Sequence, residues 1–192
     1  MAIETEVKFR VQDPAALTQR LLASGFHEDT PRTFERNTLY DAPDRRLRAQ
    51  QSILRVRKYG ERWVVTHKCL PPNNDPASPH KHREETETQV QDGEAIGHIF
   101  SQLGFQPSFT YEKYRTEFSD PTGHCVLDET PIGVYAELEG PSEWIDATGR
   151  KLGIDSSEFI TLSYGRLFDQ WREDTGSPVQ NLTFEEIPHG KN

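Results

Sequence analysis

The sequence predicts a β-dominated α+β protein: an eight-stranded antiparallel closed β-barrel with a charged interior and helices packed outside. Three observations favour this fold. Segments with strand periodicity outnumber helical ones, each helix has one apolar face, and most strands carry charges on the face opposite their apolar side chains. Because the helices need apolar sheet surface to cover, the charged strand faces are left to line the inside of a barrel.

The chain is built from two pseudo-repeats. Val11-Gln12-Asp13 recurs as Val90-Gln91-Asp92, and Gly25-Phe26 recurs as Gly104-Phe105. In each repeat a strand runs through an aspartate into a helix that ends at a glycine, since aspartate favours the N-cap and glycine the C-terminal end. An aromatic-rich strand is then expected after each helix.

The other elements follow from the same periodicities. Strands are predicted over 3–11, 34–41, 53–59, 61–70, 84–91, 111–120, 124–129 and 133–139, and helices after Asp13, after Asp92, over 142–152 and over 156–173. The proline-rich segment 71–82 predicts a mobile loop that either covers a tunnel mouth or only connects two strands. We expect one domain over 1–174 and a flexible tail over 175–192.

Charged side chains share one face of nearly every predicted strand. A solvent face would explain any one strand, but carboxylates cluster as Glu-x-Glu pairs and bases as Arg-x-Arg or Lys-x-Arg pairs, which favours a binding surface. The acidic members are Glu4, Glu6, Glu85, Glu87, Asp128, Glu137 and Glu139, and the basic members are Lys8, Arg10, Arg55, Arg57, Lys68, Lys113 and Arg115.

Composition excludes several classes of function. Acidic residues outnumber basic ones by 31 to 22, which disfavours nucleic acid as a partner. No apolar run approaches the ~18 residues of a membrane span, and the first residues lack the pattern of a signal peptide. With Cys69 and Cys125 expected as free thiols, we expect a soluble cytoplasmic protein with no membrane partner.

The charged face predicts a metal and an anion together. Carboxylates two residues apart on a strand can share one hard cation, and oxygen ligands suit Mg²⁺ or Mn²⁺. Histidine and cysteine are absent from the set, which disfavours zinc. Because arginine and lysine bind phosphate oxygens, the expected partner is a small molecule that carries several phosphates.

These residues also carry a resemblance to a known family. Glu4-Thr5-Glu6-Val7-Lys8 resembles the ExExK signature of the CYTH superfamily, or triphosphate tunnel metalloenzymes, which includes class IV adenylate cyclases and thiamine triphosphatases. The family's further motifs follow in order: Arg55-Val56-Arg57, Lys68, Arg83-Glu84-Glu85-Thr86-Glu87, Lys113-Tyr114-Arg115, Leu127-Asp128-Glu129 and Glu137-Leu138-Glu139. The resemblance spans residues 1 to about 170 and implies an eight-stranded antiparallel tunnel.

The resemblance also implies roles, with Mg²⁺ or Mn²⁺ as cofactor. Its main metal ligands are Glu4, Glu6, Glu137 and Glu139, with Asp128, Glu85 and Glu87 as additional or second-metal ligands. Its triphosphate ligands are Arg55, Arg57, Lys68, Lys113 and Arg115. Lys8 either binds phosphate or positions the attacking water, and it forms the catalytic set with Glu4 and Glu6. Arg10 is expected to support this set, and the repeat adds Arg36 as a further tunnel candidate. Enzymes of this kind are often homodimers.

Two reactions fit such a tunnel. We expect a phosphohydrolase that cleaves the terminal phosphate of inorganic triphosphate, a nucleoside triphosphate or thiamine triphosphate, because no base-reading motif is found. The alternative is a class IV adenylate cyclase that converts ATP to cyclic AMP and pyrophosphate. A third reading, a non-catalytic polyphosphate-binding module, is disfavoured because both Glu-x-Glu pairs and Asp128 are present.

Overall fold

The computed structural model describes residues 2–75 and 77–188 and confirms the predicted fold class. Eight antiparallel strands close into a barrel in the order β1-β5-β4-β3-β2-β6-β7-β8. Their bounds are β1 (Ala2–Arg10), β2 (His27–Asp41), β3 (Ile53–Tyr59), β4 (Arg62–Cys69), β5 (Lys81–Val90), β6 (Gln106–Ser119), β7 (His124–Thr130) and β8 (Gly133–Glu139).

In the described part of the chain, five α-helices surround the barrel: α1 (Pro14–Ala23), α2 (Arg46–Ala49), α3 (Gly93–Gln102), α4 (Ser142–Lys151) and α5 (Tyr164–Thr175). The two predicted aspartate caps are confirmed, because Asp13 accepts a hydrogen bond from the amide of Ala16 and Asp92 accepts from Glu94 and Ala95. The prediction of one helix over 156–173 is wrong. A short 3₁₀ turn, Ser156–Glu158, is followed by extended chain, and Ile160 pairs with Lys8 of β1 before α5 begins.

The strands β2 and β6 are longer than predicted. They begin at His27 and Gln106, soon after the glycines that end the preceding turns, and pair with each other along most of their length. The first part of β2 is largely exposed on both faces, so its sequence lacks the alternation that identifies a half-buried strand. The β2–β6 pair therefore joins the two pseudo-repeats.

The apolar core lies outside the barrel, between the strands and the helices. One cluster packs Leu17 and Leu21 of α1 and Ile145 of α4 against outward side chains such as Val7 and Phe9. A second cluster packs α5 and the C-terminal segment against β6. Because this shell covers the outer faces of the strands, their charged faces are directed into the barrel.

Close packing of α3 on the barrel depends on a glycine. A Cβ atom at Gly93 would overlap Cε3 of Trp63 on β4, so any side chain there would displace the indole ring.

No helix within the described residues is long and apolar enough to cross a membrane.

The segment that follows α5 is held against the barrel, in contrast to the loose tail that the sequence predicts. The amide of Leu182 donates to the carbonyl of Thr110 at 3.0 Å, and the amide of Glu112 donates to the carbonyl of Leu182 at 2.9 Å. The Leu182 side chain is fully buried in the second apolar cluster. Residues 189–192, the end of the predicted tail, lie outside the described residues.

The loop between β4 and β5 is anchored at its C-terminal end. His80 Nε2 lies 2.9 Å from an Asp146 carboxylate oxygen on α4, and the ring of His82 lies between the hydroxyls of Thr5 and Ser78, at 3.0 Å from each. The predicted mobility of the loop over 71–82 and its role as a cover stay predictions.

Burial of Leu182 can be tested by truncation. We expect Leu182→Ala to lower the free energy of unfolding by about 2–4 kcal/mol, because it leaves a cavity in a packed cluster. Leu103→Ala is the matched control, since Leu103 is 67% exposed. Urea unfolding of the two variants measures the difference, and equal stabilities would contradict the packing of this segment.

Candidate functional site

The inner face of the barrel forms a charged tunnel with a cavity of about 750 Å³. Alternation along each strand directs its charged residues inward, and antiparallel pairing brings the charges of neighbouring strands side by side. Twelve of the predicted site residues line the cavity: Glu4, Glu6, Lys8, Arg55, Arg57, Lys68, Glu85, Glu87, Lys113, Arg115, Glu137 and Glu139. The remaining one, Asp128, is fully buried within the wall.

Four carboxylates form an acidic corner of the tunnel: Glu4, Glu6, Glu85 and Glu139. They lie on β1 and its two neighbours, β5 and β8, and Glu6 is paired directly with Glu139. Two lysines hold this corner together. Lys68 Nζ donates to Glu4 at 2.8 Å and lies 3.1 Å from Glu85, and Lys81 forms an ion pair with Glu6.

Repulsion within the acidic corner changes the pKa values of its members. Partial burial, together with the charges of Glu4 and Glu6, raises the pKa of Glu139 to about 7. Burial and Glu6 also raise the pKa of Glu4, although Lys68 opposes the shift. Burial also favours a higher pKa for Glu6. The positive charges of Lys81, Lys8 and Lys68 have the larger effect and lower its pKa to about 2. Glu139 is therefore partly protonated near neutral pH.

A basic wall lies on β3 and β6, formed by Arg55, Arg57, Lys113 and Arg115. The carboxylate of Glu35 on β2 stands among these cations, 3.4 Å from Lys113 Nζ and 3.8 Å from Arg57, with no exposed surface. Burial alone would raise the pKa of Glu35, but Lys113 and Arg115 hold it well below its usual range. Glu35 is thus a permanent negative charge within the wall.

Asp128 binds the cations at the centre of the tunnel. It accepts hydrogen bonds from Lys113 Nζ at 2.9 Å, from Arg115 Nε at 2.7 Å and from the Tyr164 hydroxyl at 2.7 Å. Arg115 also donates to Glu137 at 2.9 Å, and Glu137 forms an ion pair with Lys8. The geometry makes Asp128 and Glu137 counter-ions of the basic groups, and their predicted role as metal ligands stays a prediction.

Several buried arginine donors lack a partner. The Nε atoms of Arg55, Arg57 and Arg83 are buried and have no hydrogen-bond partner among the described residues. Buried polar groups are normally satisfied, so these donors are exceptions, as are the acceptors Glu35 Oε2 and Asn37 Oδ1.

The carboxylates of the acidic corner have the chemistry that a hard cation requires. All are oxygen donors, and their mutual repulsion would be relieved by a bound Mg²⁺ or Mn²⁺. Within the described residues no three His, Cys, Asp or Glu side chains are gathered closely enough to hold a metal ion. Lysine ammonium groups pair with Glu4 and Glu6 instead, so a metal would have to displace them.

Sequence reasoning missed Asp29, Lys81 and Glu117 in the tunnel lining, Glu35 in the tunnel wall, and Arg83 in a neighbouring cavity. Lys81 and Arg83 precede the predicted start of β5, and continuing the inward phase of Glu85 backwards by two and four residues would have found them. Glu35 was missed because aligning the two pseudo-repeats predicted that its neighbour Arg36 faces the tunnel. The expectation that Arg36 faces the tunnel is wrong: its side chain is 57% exposed and pairs with Glu112 on the outer surface. Arg10, which the sequence predicts to support the catalytic set, has its guanidinium group over the ring of Tyr135, 5.1 Å from the ring centre.

Comparison with known proteins identifies the fold and the family. A family model described as the CYTH domain matches residues 2–154. A protein of Methanocaldococcus jannaschii named "Putative adenylate cyclase" is 29% identical over 138 residues, which is 71% of this chain and 76% of the relative.

Two solved structures are similar in fold. An X-ray structure of "a putative adenylate cyclase" from Vibrio parahaemolyticus has a TM-score of 0.76 at 18% identity and covers 87% of this chain and 98% of that chain. A structure from Hippeastrum, described as a "Putative adenylyl cyclase" with a dominant triphosphatase activity, has a TM-score of 0.61 at 19% identity. It covers 88% of this chain and 96% of that chain. At these identities the likeness shows the fold alone.

The raised pKa of Glu139 predicts a pH-dependent stability. The folded state binds the Glu139 proton more tightly than the unfolded state, so ionisation between pH 4.5 and about 7 lowers the free energy of unfolding. With chelator present, we expect Glu139→Gln to raise the melting temperature at pH 8 and to change it less at pH 5. Glu61→Gln, at an exposed hairpin position, is the control, and equal effects of Glu139→Gln at both pH values would contradict the repulsion.

The buried charge of Glu35 predicts a second effect. Glu35→Gln leaves Lys113 and Arg57 without their shared counter-ion, so we expect the free energy of unfolding to fall by about 3 kcal/mol or more. Because an anion in the tunnel would replace the lost charge, saturating inorganic triphosphate should stabilise this variant more than the wild type. The control is Glu129→Gln, which loses a pair with the exposed Arg32. A Glu35→Gln protein as stable as the wild type would refute the assignment.

Proposed function

This chain belongs to the CYTH domain family, and we propose that it is a divalent-metal-dependent enzyme that hydrolyses the terminal phosphate of a triphosphate. The observation that carries the proposal is the lining of the tunnel, where Arg55, Arg57, Lys113 and Arg115 share one cavity with the carboxylates of the acidic corner. Neutral ligands gain little from such a lining, whereas phosphate oxygens accept hydrogen bonds from guanidinium and ammonium groups.

The phosphates are assigned to the basic wall. Arg55 and Arg57 lie on β3, and Lys113 and Arg115 lie on β6, on the other side of β2. Asp128 and Glu35 fix Arg57, Lys113 and Arg115, and Arg55 donates to Tyr111 and Thr66. Phosphoryl transfer depends mainly on positioning and on neutralising the negative charge of the phosphates, which a preorganised set of cations provides.

The metal is assigned to the acidic corner. Glu4, Glu6, Glu85 and Glu139 would hold Mg²⁺ or Mn²⁺, which neutralises phosphate charge and polarises the phosphoryl group when bound. Lys68 and Lys81, released from Glu4 and Glu6, are then free to bind phosphate oxygens. Glu87, Asp128 and Glu137 already accept hydrogen bonds from basic groups, so we assign them to holding those groups in place.

Water is the proposed nucleophile. Its oxygen attacks the terminal phosphorus, the bond from that phosphorus to the bridging oxygen breaks, and orthophosphate, a diphosphate product and one proton are released. Lys8 is 3% exposed and paired with Glu137, and its Nζ lies 4.3 Å from the ring centre of Tyr164. An ammonium group held in this way can orient the water or bind the leaving phosphate.

The second candidate is the adenylate cyclase reaction, which the name of the Methanocaldococcus jannaschii relative favours. In that reaction a ribose hydroxyl attacks the α-phosphorus, and pyrophosphate leaves. The same cations and metal would serve both reactions, so the identity of the nucleophile separates them.

A product assay tests the proposal. The protein is incubated with inorganic triphosphate, ATP or thiamine triphosphate and Mg²⁺ or Mn²⁺, and orthophosphate, pyrophosphate and cyclic AMP are measured. We expect orthophosphate with little cyclic AMP. Cyclic AMP with an equal amount of pyrophosphate would support the cyclase instead, and tight triphosphate binding without turnover would support a binding module.

The metal assignment predicts the effect of two substitutions. Glu4→Gln and Glu6→Gln should each lower metal-dependent turnover by at least about 100-fold, because each removes an anionic metal ligand. Circular dichroism and melting curves establish that both variants fold. Glu84→Gln is the matched control, since Glu84 alternates with Glu85 and lies on the outer face of β5. Full activity of either tunnel variant would contradict the assignment.

A further inference from the structure

Tyr164, the first residue of α5, reaches the cations of the tunnel from outside the barrel strands. Its side chain lines the tunnel cavity, and the residue is 7% exposed. We infer that Tyr164 is a positioning residue for the proposed reaction: its hydroxyl orients Asp128, and its ring holds the ammonium groups of Lys8 and Lys113. The inference rests on the proposed function and adds to the site a residue that no strand supplies.

The Tyr164 hydroxyl fixes a counter-ion of the basic wall. Asp128 is fully buried, and its Oδ2 atom accepts from the Tyr164 hydroxyl at 2.7 Å. The same oxygen accepts from Lys113 Nζ at 2.9 Å and from Arg115 Nη2 at 2.6 Å. Because the hydroxyl acts from α5 and the other donors act from β6, the carboxylate is held between two elements. It fixes Lys113 and Arg115 in turn, since both donate to it.

The ring of Tyr164 lies beside two lysines of the tunnel. Its centre is 4.3 Å from Lys8 Nζ and 4.9 Å from Lys113 Nζ, and both lysines are almost fully buried. An ammonium group within about 6 Å of an aromatic ring is attracted to the face of that ring. Because the ring has no net charge, it holds both ammonium groups without neutralising them. A carboxylate in its place would also hold them, but it would repel the phosphates.

Neighbouring side chains fix the ring itself. The Tyr111 ring is stacked on it with centres 5.9 Å apart, and the Tyr135 ring meets it edge to face, also at 5.9 Å. The Ser163 hydroxyl accepts from the Arg166 amide at 3.4 Å, which caps α5 at the residue before Tyr164. A ring packed in this way keeps its place when the lysines bind a ligand, which is what a positioning role requires.

Two substitutions separate the hydroxyl from the ring. Tyr164→Phe removes the hydroxyl and keeps the ring, whereas Tyr164→Leu removes both. Trp171→Leu is the matched control, because it also replaces an aromatic side chain of α5 by leucine. Trp171 packs against the second apolar cluster, outside the tunnel. Circular dichroism and melting curves establish that all three variants are folded at the assay temperature.

We expect the two variants to change different kinetic constants for inorganic triphosphate. Tyr164→Phe should raise KM at least about 3-fold and change kcat less than about 2-fold, because it loosens Asp128 and the cations that bind the phosphates. Tyr164→Leu should also lower kcat at least about 10-fold, because Lys8 loses the ring that holds it. Trp171→Leu should change neither constant by more than about 2-fold.

A purely structural role of Tyr164 gives a different pattern. Unaltered constants in Tyr164→Leu would overturn the inference, as would a loss in Tyr164→Leu that Trp171→Leu reproduces. A Tyr164→Phe variant with the same low kcat as Tyr164→Leu would also overturn it, because the ring alone would then not hold Lys8.

Calorimetry separates failure of the inference from failure of the proposed function. If the wild type releases no orthophosphate, the proposed reaction is wrong, and the binding of inorganic triphosphate is compared among the same variants. Binding that is weaker by at least about 3-fold in Tyr164→Phe and about 10-fold in Tyr164→Leu, but not in Trp171→Leu, would still support the positioning role. Equal binding in all variants, or none in the wild type, would overturn it.

Discussion

Pairing of opposite charges inside a closed barrel is the constraint on which this structure depends. Removing a charge from water is costly unless an opposite charge compensates it, and the tunnel wall places acidic and basic side chains of its strands close together. The most deeply buried groups are compensated within the protein: Asp128 by Lys113, Arg115 and the Tyr164 hydroxyl, and Glu35 by Lys113 and Arg57. Where compensation is incomplete, the wall is prepared for ligands.

Two regions of the tunnel are incompletely compensated, and they differ in sign. At the acidic corner the carboxylates of Glu4 and Glu139 have raised pKa values, which marks an excess of negative charge. On the basic wall, the Nε atoms of Arg55 and Arg57 are buried without hydrogen-bond partners among the described residues. A metal ion at the first region and phosphates at the second would satisfy both, and Lys68, which now pairs with Glu4, would connect the two.

Much of this arrangement could be predicted from the sequence because strand periodicity specifies the face of each residue. Because the Glu6 side chain is directed into the barrel, every second side chain of β1 is also directed inward. The same alternation holds for the other half-buried strands. The ends of the strands were harder to predict, because exposed stretches such as the start of β2 lack the alternation of apolar and polar side chains. Lys81 was missed because it precedes the predicted start of β5. Glu35 was missed, and Arg36 was placed on the wrong face, because the alignment of the two repeats was one residue out of register.

The outer layer was less predictable than the tunnel. Leu182 follows a polar stretch that gives no periodic signal, so its burial against β6 depends on tertiary contacts that sequence alone does not reveal. A second cavity of about 450 Å³ beside the tunnel was missed for the same reason, because it combines α2, the chain before α5 and the ends of β2, β3 and β6. These segments are distant in sequence, and only the closed barrel brings them together.

The central claim is that the tunnel binds a metal and a triphosphate at two separate, oppositely charged regions. A crystal structure with Mn²⁺ and inorganic triphosphate, with an anomalous difference map recorded at the manganese edge, tests this most directly. We expect an anomalous peak among Glu4, Glu6, Glu85 and Glu139, with phosphate oxygens on Arg55, Arg57, Lys113 and Arg115. A manganese peak away from these carboxylates, or triphosphate outside the tunnel, would contradict it.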